Sequence, residues 1–154
     1  MRMSKEGIEW LIKHEGVRYQ VYDDKNGKII SSYEDAIRYP TIGVGHLVYK
    51  AGTRDERARF EKYLGGREKM THKQVIDLLR EDLPKYEDPV AKRIKVKITP
   101  YMFDALVSLA FNAGPNNSSL KKAIDKVNQK DWEGAAQALR DGPTYSGGER
   151  LAGL

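Results

Sequence analysis

The chain has 154 residues, of which 40% are hydrophobic and 32% charged, an ordinary composition for one globular domain. It has no cysteine, which excludes disulfide bonds and thiolate chemistry, and no apolar run approaches the ~20 residues of a transmembrane helix. The formal net charge of +5 favours an anionic partner, such as a bacterial envelope or a nucleic acid, although a modest excess also serves solubility alone.

The first predicted element is a helix over residues 4–15, whose apolar residues recur on one face. Ser4 is a suitable N-terminal cap and Gly16 a suitable C-terminal stop. Glu6 and Glu9 interrupt this stretch too early for a signal peptide, so we expect a protein that is made in the cytoplasm without one.

Short strands follow, and they are predicted at residues 19–22, 28–30 and 41–48. The turn at 24–27 contains Asn-Gly, the strongest short-range signal for a hairpin. Residues 31–40 are an irregular excursion before the third strand.

The rest of the chain is predicted to be helical. The segments with helical spacing of apolar residues are 54–64, with a stop at Gly65-Gly66, then 71–83, 100–113, 119–128 and 131–140. The segment after Thr99-Pro100 is apolar on most sides and should be the central buried helix. Pro84 and Pro89 leave the course of the chain before it open. We predict one α+β domain over 1–154, with a strand-bearing lobe at about 15–70, a helical lobe at 71–154 plus the N-terminal helix, and a binding cleft between the lobes.

Two carboxylates are the first candidates for chemistry. Glu15 ends its helix, where the helix dipole disfavours the ionised form, and burial would raise its pKa further, as a general acid requires. Asp24 lies in a solvated turn that keeps it ionised, so the two groups have the unequal pKa values that assign acid and base roles. The alternatives are a surface glutamate at a fraying helix end and a plain turn aspartate.

A hydroxyl is the third candidate. Thr41 opens a strand in which Gly43 and Gly45 would let a polymeric sugar approach the backbone, unless they only form a tight bend. His46 is expected to be a hydrogen-bonded structural residue rather than a catalytic base. The histidines lack metal-ligand spacing, so no metal site is predicted.

Several motifs occur in order along nearly the whole chain. These are Glu15 and Asp24 with eight residues between them, TIGVGHL at 41–47, FDALVSLAFNAG at 103–114 and DWEGAA at 131–136. With these motifs the chain resembles the phage-type muramidases of glycoside hydrolase family 24, in particular the T-even phage lysozyme branch. The resemblance implies a lysozyme-like fold and a peptidoglycan hydrolase that cleaves the β-1,4 bond between N-acetylmuramic acid and N-acetylglucosamine during host-cell lysis.

The resemblance also implies roles for the candidates. Glu15 would protonate the leaving oxygen while Asp24 and Thr41 activate a water, which predicts inversion with carboxyls about 6.5–9.5 Å apart. A retaining enzyme, with carboxyls near ~5 Å, stays open as an alternative. The residues implied to bind the substrate are His46, Leu47, Phe111, Asn112, Ser118 and Ser119. Core packing is an equal alternative for Phe111.

The implied partner is the peptidoglycan glycan strand, bound by a monomer without a cofactor, without nucleic acid and without stable membrane insertion. The enzyme would be made in the bacterial host cytoplasm and would act on the cell wall or periplasm after release. Two rival functions are a non-catalytic envelope-binding module on the same fold and a basic nucleic-acid binder. The latter lacks a recognition-helix motif and a concentrated Lys/Arg face.

One departure from the family pattern concerns the second carboxylate. Sixteen residues separate Asp24 from Thr41, where the family has five, so the hairpin carries a long insert. Asp23 or Asp35 could replace Asp24 if the hairpin refolds. We hypothesise that the insert, residues 28–40, is a substrate-contacting flap.

A second departure concerns the arginine that pairs with the catalytic glutamate. The family supplies it from an Arg-rich final helix that usually follows the Gly-Leu found at 153–154. Here the candidates for this partner are Arg18 and Arg150.

Overall fold

The computed structural model describes residues 1–63 and 69–143, and they form two compact units. The helical unit contains Met1–Glu15 and the described residues from Leu83 onward, and the sheet unit contains the described part of Gly16–Asp82. The predicted α+β class is confirmed. Within the described ranges, no helix combines the length and the apolar character that crossing a membrane demands.

The strands lie in the first third of the chain, and only helices follow them in the described residues. In chain order they are α1 (Lys5–Glu15), β1 (Arg18–Asp23), a 3-10 turn (Tyr33–Asp35), β2 (Pro40–Gly43), β3 (His46–Leu47), α2 (Glu56–Lys62), α3 (His72–Asp82), α4 (Pro84–Arg93), α5 (Pro100–Ala113), α6 (Ser118–Asn128) and α7 (Trp132–Arg140). The helix α4 begins at Pro84 and continues through Pro89, where the sequence pattern left the course open. The predicted stop at Gly65-Gly66 lies outside the described residues.

The sheet unit is built on an antiparallel sheet with strand order β1-β2-β3. Tyr22 pairs with Thr41, and Thr41 pairs with Leu47. Since alternate residues of a strand face opposite sides, Val21 and Ile42 point the other way, into a core where both are fully buried. The buried members of this core are Val21, Ile30, Ile42, Val48, Tyr49, Phe60 and Leu78.

The predicted strand at 28–30 is wrong, because the segment makes only a single bridge, between Tyr22 and Ile29. The bridge lies on one edge of β1, and β2 pairs with the other edge, since Tyr22 is paired with both Ile29 and Thr41. The Asn-Gly turn itself forms, and Gly27, with a φ of 71°, donates to the carbonyl of Asp23 at 2.7 Å. The Ile30 N–H still donates to the Val21 carbonyl at 3.1 Å, and the Ile30 side chain is buried in the core.

The predicted strand at 41–48 is interrupted by a tight turn between β2 and β3. Gly43 and Gly45 have φ values of 67° and 69°, which residues with a Cβ rarely adopt. The two glycines therefore make the bend that was the structural alternative for them.

The helix α3 belongs to the sheet unit because it packs on β2 and β3 and contributes Leu78 to the core. The boundary between the units thus follows Asp82, whereas the sequence pattern places it near residue 70. Helical periodicity shows that a segment has an apolar face, but not which element covers that face.

The helix α5 is the central helix of the helical unit, as predicted, and every residue from Phe103 to Ala110 is buried. Its start is capped by the Thr99 hydroxyl, which accepts a hydrogen bond from the Met102 N–H at 3.2 Å. Its end is Gly114, whose φ of 91° turns the chain away.

Two buried carboxylates fix the start of α1 on the helical unit. Asp104 accepts hydrogen bonds from the Ser4 N–H at 2.9 Å and from the Ser4 hydroxyl. Glu87 accepts from the Met3 N–H at 2.6 Å. A Cβ on Gly7 would come within 2.5 Å of Asp104 Cγ, so only glycine fits there. These contacts hold the start of α1 against α4 and α5.

Candidate active site

Glu15 is the last residue of α1, and its carboxyl group is partly buried. Its Oε1 atom is fully buried and has no hydrogen-bond partner among the residues that the structure describes. Burial raises the pKa of Glu15 above its ordinary value, and the neighbouring charge of His14 opposes this effect. Such a carboxyl keeps its proton to higher pH than a solvated glutamate, which suits a general acid.

The backbone carbonyl of Tyr39 connects Asp24 to Thr41. It accepts a hydrogen bond from the Asp24 N–H at 3.0 Å and another from the Thr41 hydroxyl at 2.7 Å. Pairing between the strands thus extends one residue past the Asp23–Pro40 pair. The two candidates are therefore neighbours in the sheet unit, despite the long insert between them in the sequence.

Asp24 and Thr41 also lie on one face of the sheet. Tyr22 is opposite Thr41, and Leu47 is opposite Thr41 on its other side, so their side chains share that face. Asp24, two residues after Tyr22, points the same way and is exposed to solvent. Three residues that the family resemblance implied for the site, Asp24, Thr41 and Leu47, are thus brought together.

Tyr22 is a member of this face that the sequence did not single out as a site residue. Burial raises its pKa, as does the nearby carboxylate of Asp24, while Arg18, whose guanidinium carbon lies 4.2 Å from the ring centroid, has the opposite effect. The signal that could have found Tyr22 is its position two residues before Asp24 in a strand, which puts both side chains on one side.

Asp23 faces away from Asp24, and its side chain is 1% exposed. Its carboxylate accepts hydrogen bonds from the backbone N–H groups of Lys25, Ile37, Arg38 and Tyr39. With these bonds it acts as a structural carboxylate. Asp35, the other alternative to Asp24, is exposed in the 3-10 turn.

His46 is held from both sides of its ring. Its Nδ1 lies 2.7 Å from an Asp82 carboxylate oxygen, and its Nε2 lies 3.1 Å from the Tyr63 hydroxyl. This is the hydrogen-bonded structural role predicted from the sequence, and substrate binding by His46 stays a prediction. Leu47, by contrast, is 43% exposed on the face that carries Thr41.

The other predicted substrate-binding residues lie in the helical unit, at the end of α5 and the start of α6. The ring of Phe111 packs against Tyr86 with centroids 5.1 Å apart, and the Asn112 side-chain amide donates to the Pro143 carbonyl at 3.4 Å. Ser118 and Ser119 form the first turn of α6. The backbone at 142–143 links the two helix ends, because a Cβ on residue 142 would lie 3.3 Å from the Cβ of Ser119.

The predicted arginine partner of Glu15 has two candidates. Arg18 donates to the Gly27 carbonyl at 3.0 Å and lies over the Tyr22 ring, while Arg150 lies outside the described residues. In the two described stretches of the chain, no group of three or more His, Asp or Glu side chains could hold a metal ion.

Known proteins with similar sequences are endolysins of phages. The chain is 30% identical to the endolysin of Salmonella phage P22 over 139 residues, which cover 90% of this chain and 82% of that protein. It is 29% identical over 156 residues to the endolysin of Bacillus phage PZA, covering all of this chain but only 51% of that longer protein.

Solved structures with a similar fold include phage lysozymes. A mutant of the P22 lysozyme has a TM-score of 0.66 and 27% identity, with coverage of 99% of this chain and 92% of that one. The endolysin from Escherichia coli O157:H7 phage FAHEc1 has a TM-score of 0.62 and 25% identity, with coverage of 99% and 87%. The predicted lysozyme-like fold is therefore confirmed.

The family model for phage lysozyme matches residues 12–154. The chain belongs to the phage lysozyme family, as its motifs implied. As a member of this family it is a lysozyme-type glycosidase that hydrolyses peptidoglycan.

Proposed function

We propose that the chain is an N-acetylmuramidase that cleaves the β-1,4 bond between N-acetylmuramic acid and N-acetylglucosamine, with Glu15 as the general acid. The observation that carries the proposal is the partly buried Glu15 carboxyl, whose Oε1 lacks a hydrogen-bond partner among the described residues and whose pKa is raised. A protonated carboxyl gives its proton to the departing glycosidic oxygen, so that the bond to the anomeric carbon breaks without forming an alkoxide.

Asp24 and Thr41 hold the water that attacks the anomeric carbon. The Thr41 hydroxyl donates its hydrogen bond to the Tyr39 carbonyl, so the lone pairs on its oxygen can accept a hydrogen bond from that water. Asp24 is exposed on the same face and removes the one proton that the water loses as it attacks, while the other hydrogen stays in the new hydroxyl group. The proton lost by Glu15 and the proton gained by Asp24 balance, and exchange with solvent restores both groups.

The substrate is the peptidoglycan glycan strand, and the net charge of +5 favours association with an anionic envelope. The proposed contacts to the strand are those of His46, Leu47, Phe111, Asn112, Ser118 and Ser119. The enzyme acts as a monomer, without a cofactor, on the cell wall or periplasm after release from the cytoplasm. Relatives named SAR-endolysins, from Enterobacteria phage P21 and Bacteriophage PS119, are similar to this chain over 50% and 91% of its length.

Replacing Glu15 by glutamine tests the proposed acid. We expect Glu15→Gln to lower the rate of wall clearing and of muropeptide release by at least ~10²-fold, because the amide has no proton to give. Cosedimentation with purified walls should be unchanged. Glu6→Gln is the matched control, since this exposed glutamate lies on the same helix, and it should clear walls at the wild-type rate. Clearing by the Glu15→Gln variant at the wild-type rate would exclude Glu15 as the acid. Wall binding by a wild-type protein that releases no muropeptide would identify an envelope-binding module instead.

The configuration of the product tests the role of the water. A direct attack by water held at Asp24 and Thr41 converts the β linkage into an α-configured reducing end. Proton NMR during the first minutes of digestion, before mutarotation, should therefore show the α-anomer of the new reducing sugar. A β-anomer at that stage would assign a retaining mechanism and would make Asp24 a nucleophile.

A further inference from the structure

We propose that Asp23 is a positioning residue, which sets Asp24 and Thr41 in place through the backbone at 37–39. The inference rests on the proposed function of Asp24 and Thr41 in holding the hydrolytic water. It concerns a carboxylate that does not contact the water itself, because Asp23 points into the sheet unit, where it is 1% exposed.

The carboxylate of Asp23 accepts hydrogen bonds from the backbone at the C-terminal end of the insert. Its Oδ2 accepts the N–H groups of Ile37 at 2.6 Å and Arg38 at 2.8 Å. Its Oδ1 accepts the N–H groups of Lys25 at 3.0 Å and Tyr39 at 3.3 Å. The turn at Lys25 and the C-terminal end of the insert are thereby tied to one buried group.

The segment that Asp23 holds is the segment that orients the candidate site. The Tyr39 N–H donates to the Asp23 carboxylate, and the Tyr39 carbonyl accepts from the Asp24 N–H and from the Thr41 hydroxyl. Three links thus connect the buried carboxylate to the reacting groups: the carboxylate to the Tyr39 N–H, the Tyr39 backbone from its N–H to its carbonyl, and that carbonyl to the Thr41 hydroxyl. Movement at 37–39 would rotate that hydroxyl away from the position in which its oxygen accepts a hydrogen from the water.

The ionised carboxylate is specifically required. Burial alone would raise the pKa of Asp23, but the hydrogen bonds from the Arg38, Lys25, Ile37 and Tyr39 backbones outweigh burial and hold that pKa below its ordinary value. An asparagine has the same shape, but whichever way its amide is turned, the NH2 group faces two backbone N–H donors. The variant Asp23→Asn therefore loses two of the four hydrogen bonds and repels the backbone at those two positions.

The test is a double-mutant cycle between Asp23→Asn and Thr41→Ala, read as kcat and KM on soluble peptidoglycan fragments. We expect Asp23→Asn to lower kcat roughly 10- to 100-fold, because a displacement of ~1 Å at a reacting group has this effect, with KM changed less than about threefold. In the Thr41→Ala background the same replacement should cost at least ~3-fold less, because the hydroxyl that it displaces is already gone. Asp77→Asn is the matched control, from an exposed position on α3 in the same unit, and should leave kcat unchanged.

Equal losses in both backgrounds would assign Asp23 to folding only and overturn the inference. Loss of kcat in Thr41→Ala and Asp24→Asn, with full activity in Asp23→Asn, would overturn the inference and leave the proposed function standing. Full activity in Thr41→Ala and Asp24→Asn would instead remove the proposed function itself.

A measurement without the Asp23→Asn variant covers the case in which that variant does not fold. In the Asp24→Asn protein, the Tyr39 carbonyl carbon and the Thr41 Cβ should shift in NMR spectra with the same midpoint as the Asp23 carboxyl carbon during an acid titration. That midpoint should lie below the ordinary pKa of an aspartate. Signals of Tyr39 and Thr41 that ignore the Asp23 titration would overturn the inference.

Discussion

At the scale of single residues, Glu15 combines reactivity with a cost to the fold. A buried carboxyl oxygen without a hydrogen-bond partner is tolerated far better when the group is neutral than when it is ionised. The raised pKa of Glu15 expresses this preference, since the folded protein holds the proton more tightly than the unfolded chain does. The same burial that prepares the acid therefore destabilises the folded state at neutral pH.

The stability of the Glu15→Gln variant tests this cost. The stabilising contribution of a group with a raised pKa is complete below its ordinary value, here 4.5, and is lost as the pH rises through the raised value. We therefore expect the variant to exceed the wild type in free energy of unfolding at pH 7, by less than ~1 kcal/mol because solvent screens the half-buried carboxyl, and to match it near pH ~4.

Urea unfolding followed by circular dichroism at the two pH values measures the difference. The Glu6→Gln protein provides the reference, because its carboxyl is exposed and should contribute no comparable difference. A Glu15→Gln variant that is less stable than the wild type at pH 7 would contradict a buried, unpartnered carboxylate.

At the scale of elements, the insert between β1 and β2 is anchored to the sheet unit. Tyr33 and Ala36 pack against the core of that unit, and the Tyr49 hydroxyl donates to the Tyr33 carbonyl at 3.1 Å. Tyr49 is 3% exposed, and burial, followed by nearby carboxylates, raises its pKa to about 12. The insert is thus held in its middle by a neutral phenol and at its C-terminal end by Asp23. The flap hypothesis now concerns only its exposed surface, which includes Ile37.

The replacement Tyr49→Phe tests the anchor in the middle. At pH 7 we expect a loss of about 1 kcal/mol in the free energy of unfolding, the usual net contribution of one hydrogen bond. Because the folded pKa is raised from 10.0 to about 12, the stabilisation by the neutral phenol is complete below pH 10 and is lost as the pH rises through about 12. The wild type should therefore lose stability more steeply than Tyr49→Phe over this interval.

Chemical denaturation at pH 7 and at steps up to pH 12 provides the comparison. Tyr101→Phe is the control, since this tyrosine is 62% exposed and its replacement should change neither the stability nor the alkaline slope. Parallel pH profiles for the wild type and Tyr49→Phe would show that Tyr49 ionises without resistance from the fold.

Helices and strands differ in how far the sequence predicts them. The central helix α5 was predicted from its start to its end because its cap, proline and terminal glycine are local signals. The pairing of β1 with β2 was not, since it joins residues far apart in the chain, as do the hydrogen bonds that the backbone N–H groups of residues 37–39 donate to Asp23. Local turn chemistry predicts the nearer segment 28–30, which makes one bridge to β1, but it gives no sign of β2 on the other edge.

At the scale of the whole molecule, the candidate chemistry is divided between the two units. Glu15 ends the first segment of the helical unit, whereas Asp24 and Thr41 belong to the sheet unit. Motif spacing and family resemblance proposed all three residues, because those signals are carried by the sequence itself. The connection between Asp24 and Thr41 could not be predicted from the sequence, because it passes through a backbone carbonyl, and every residue type has one. The position of Tyr22 on the same face was not predicted either.

The shared Tyr39 carbonyl has a consequence for how this chain tolerates change. Asp24 is kept beside Thr41 by the strand register and not by the number of intervening residues. The insert between them can therefore vary in length without moving either group. Lengthening a loop is cheap, at about 0.6 kcal/mol for each doubling. The insert is therefore a suitable place for grafted segments, such as recognition loops for other cell walls, provided that each graft keeps the hydrogen bonds from the backbone at 37–39 to the Asp23 carboxylate.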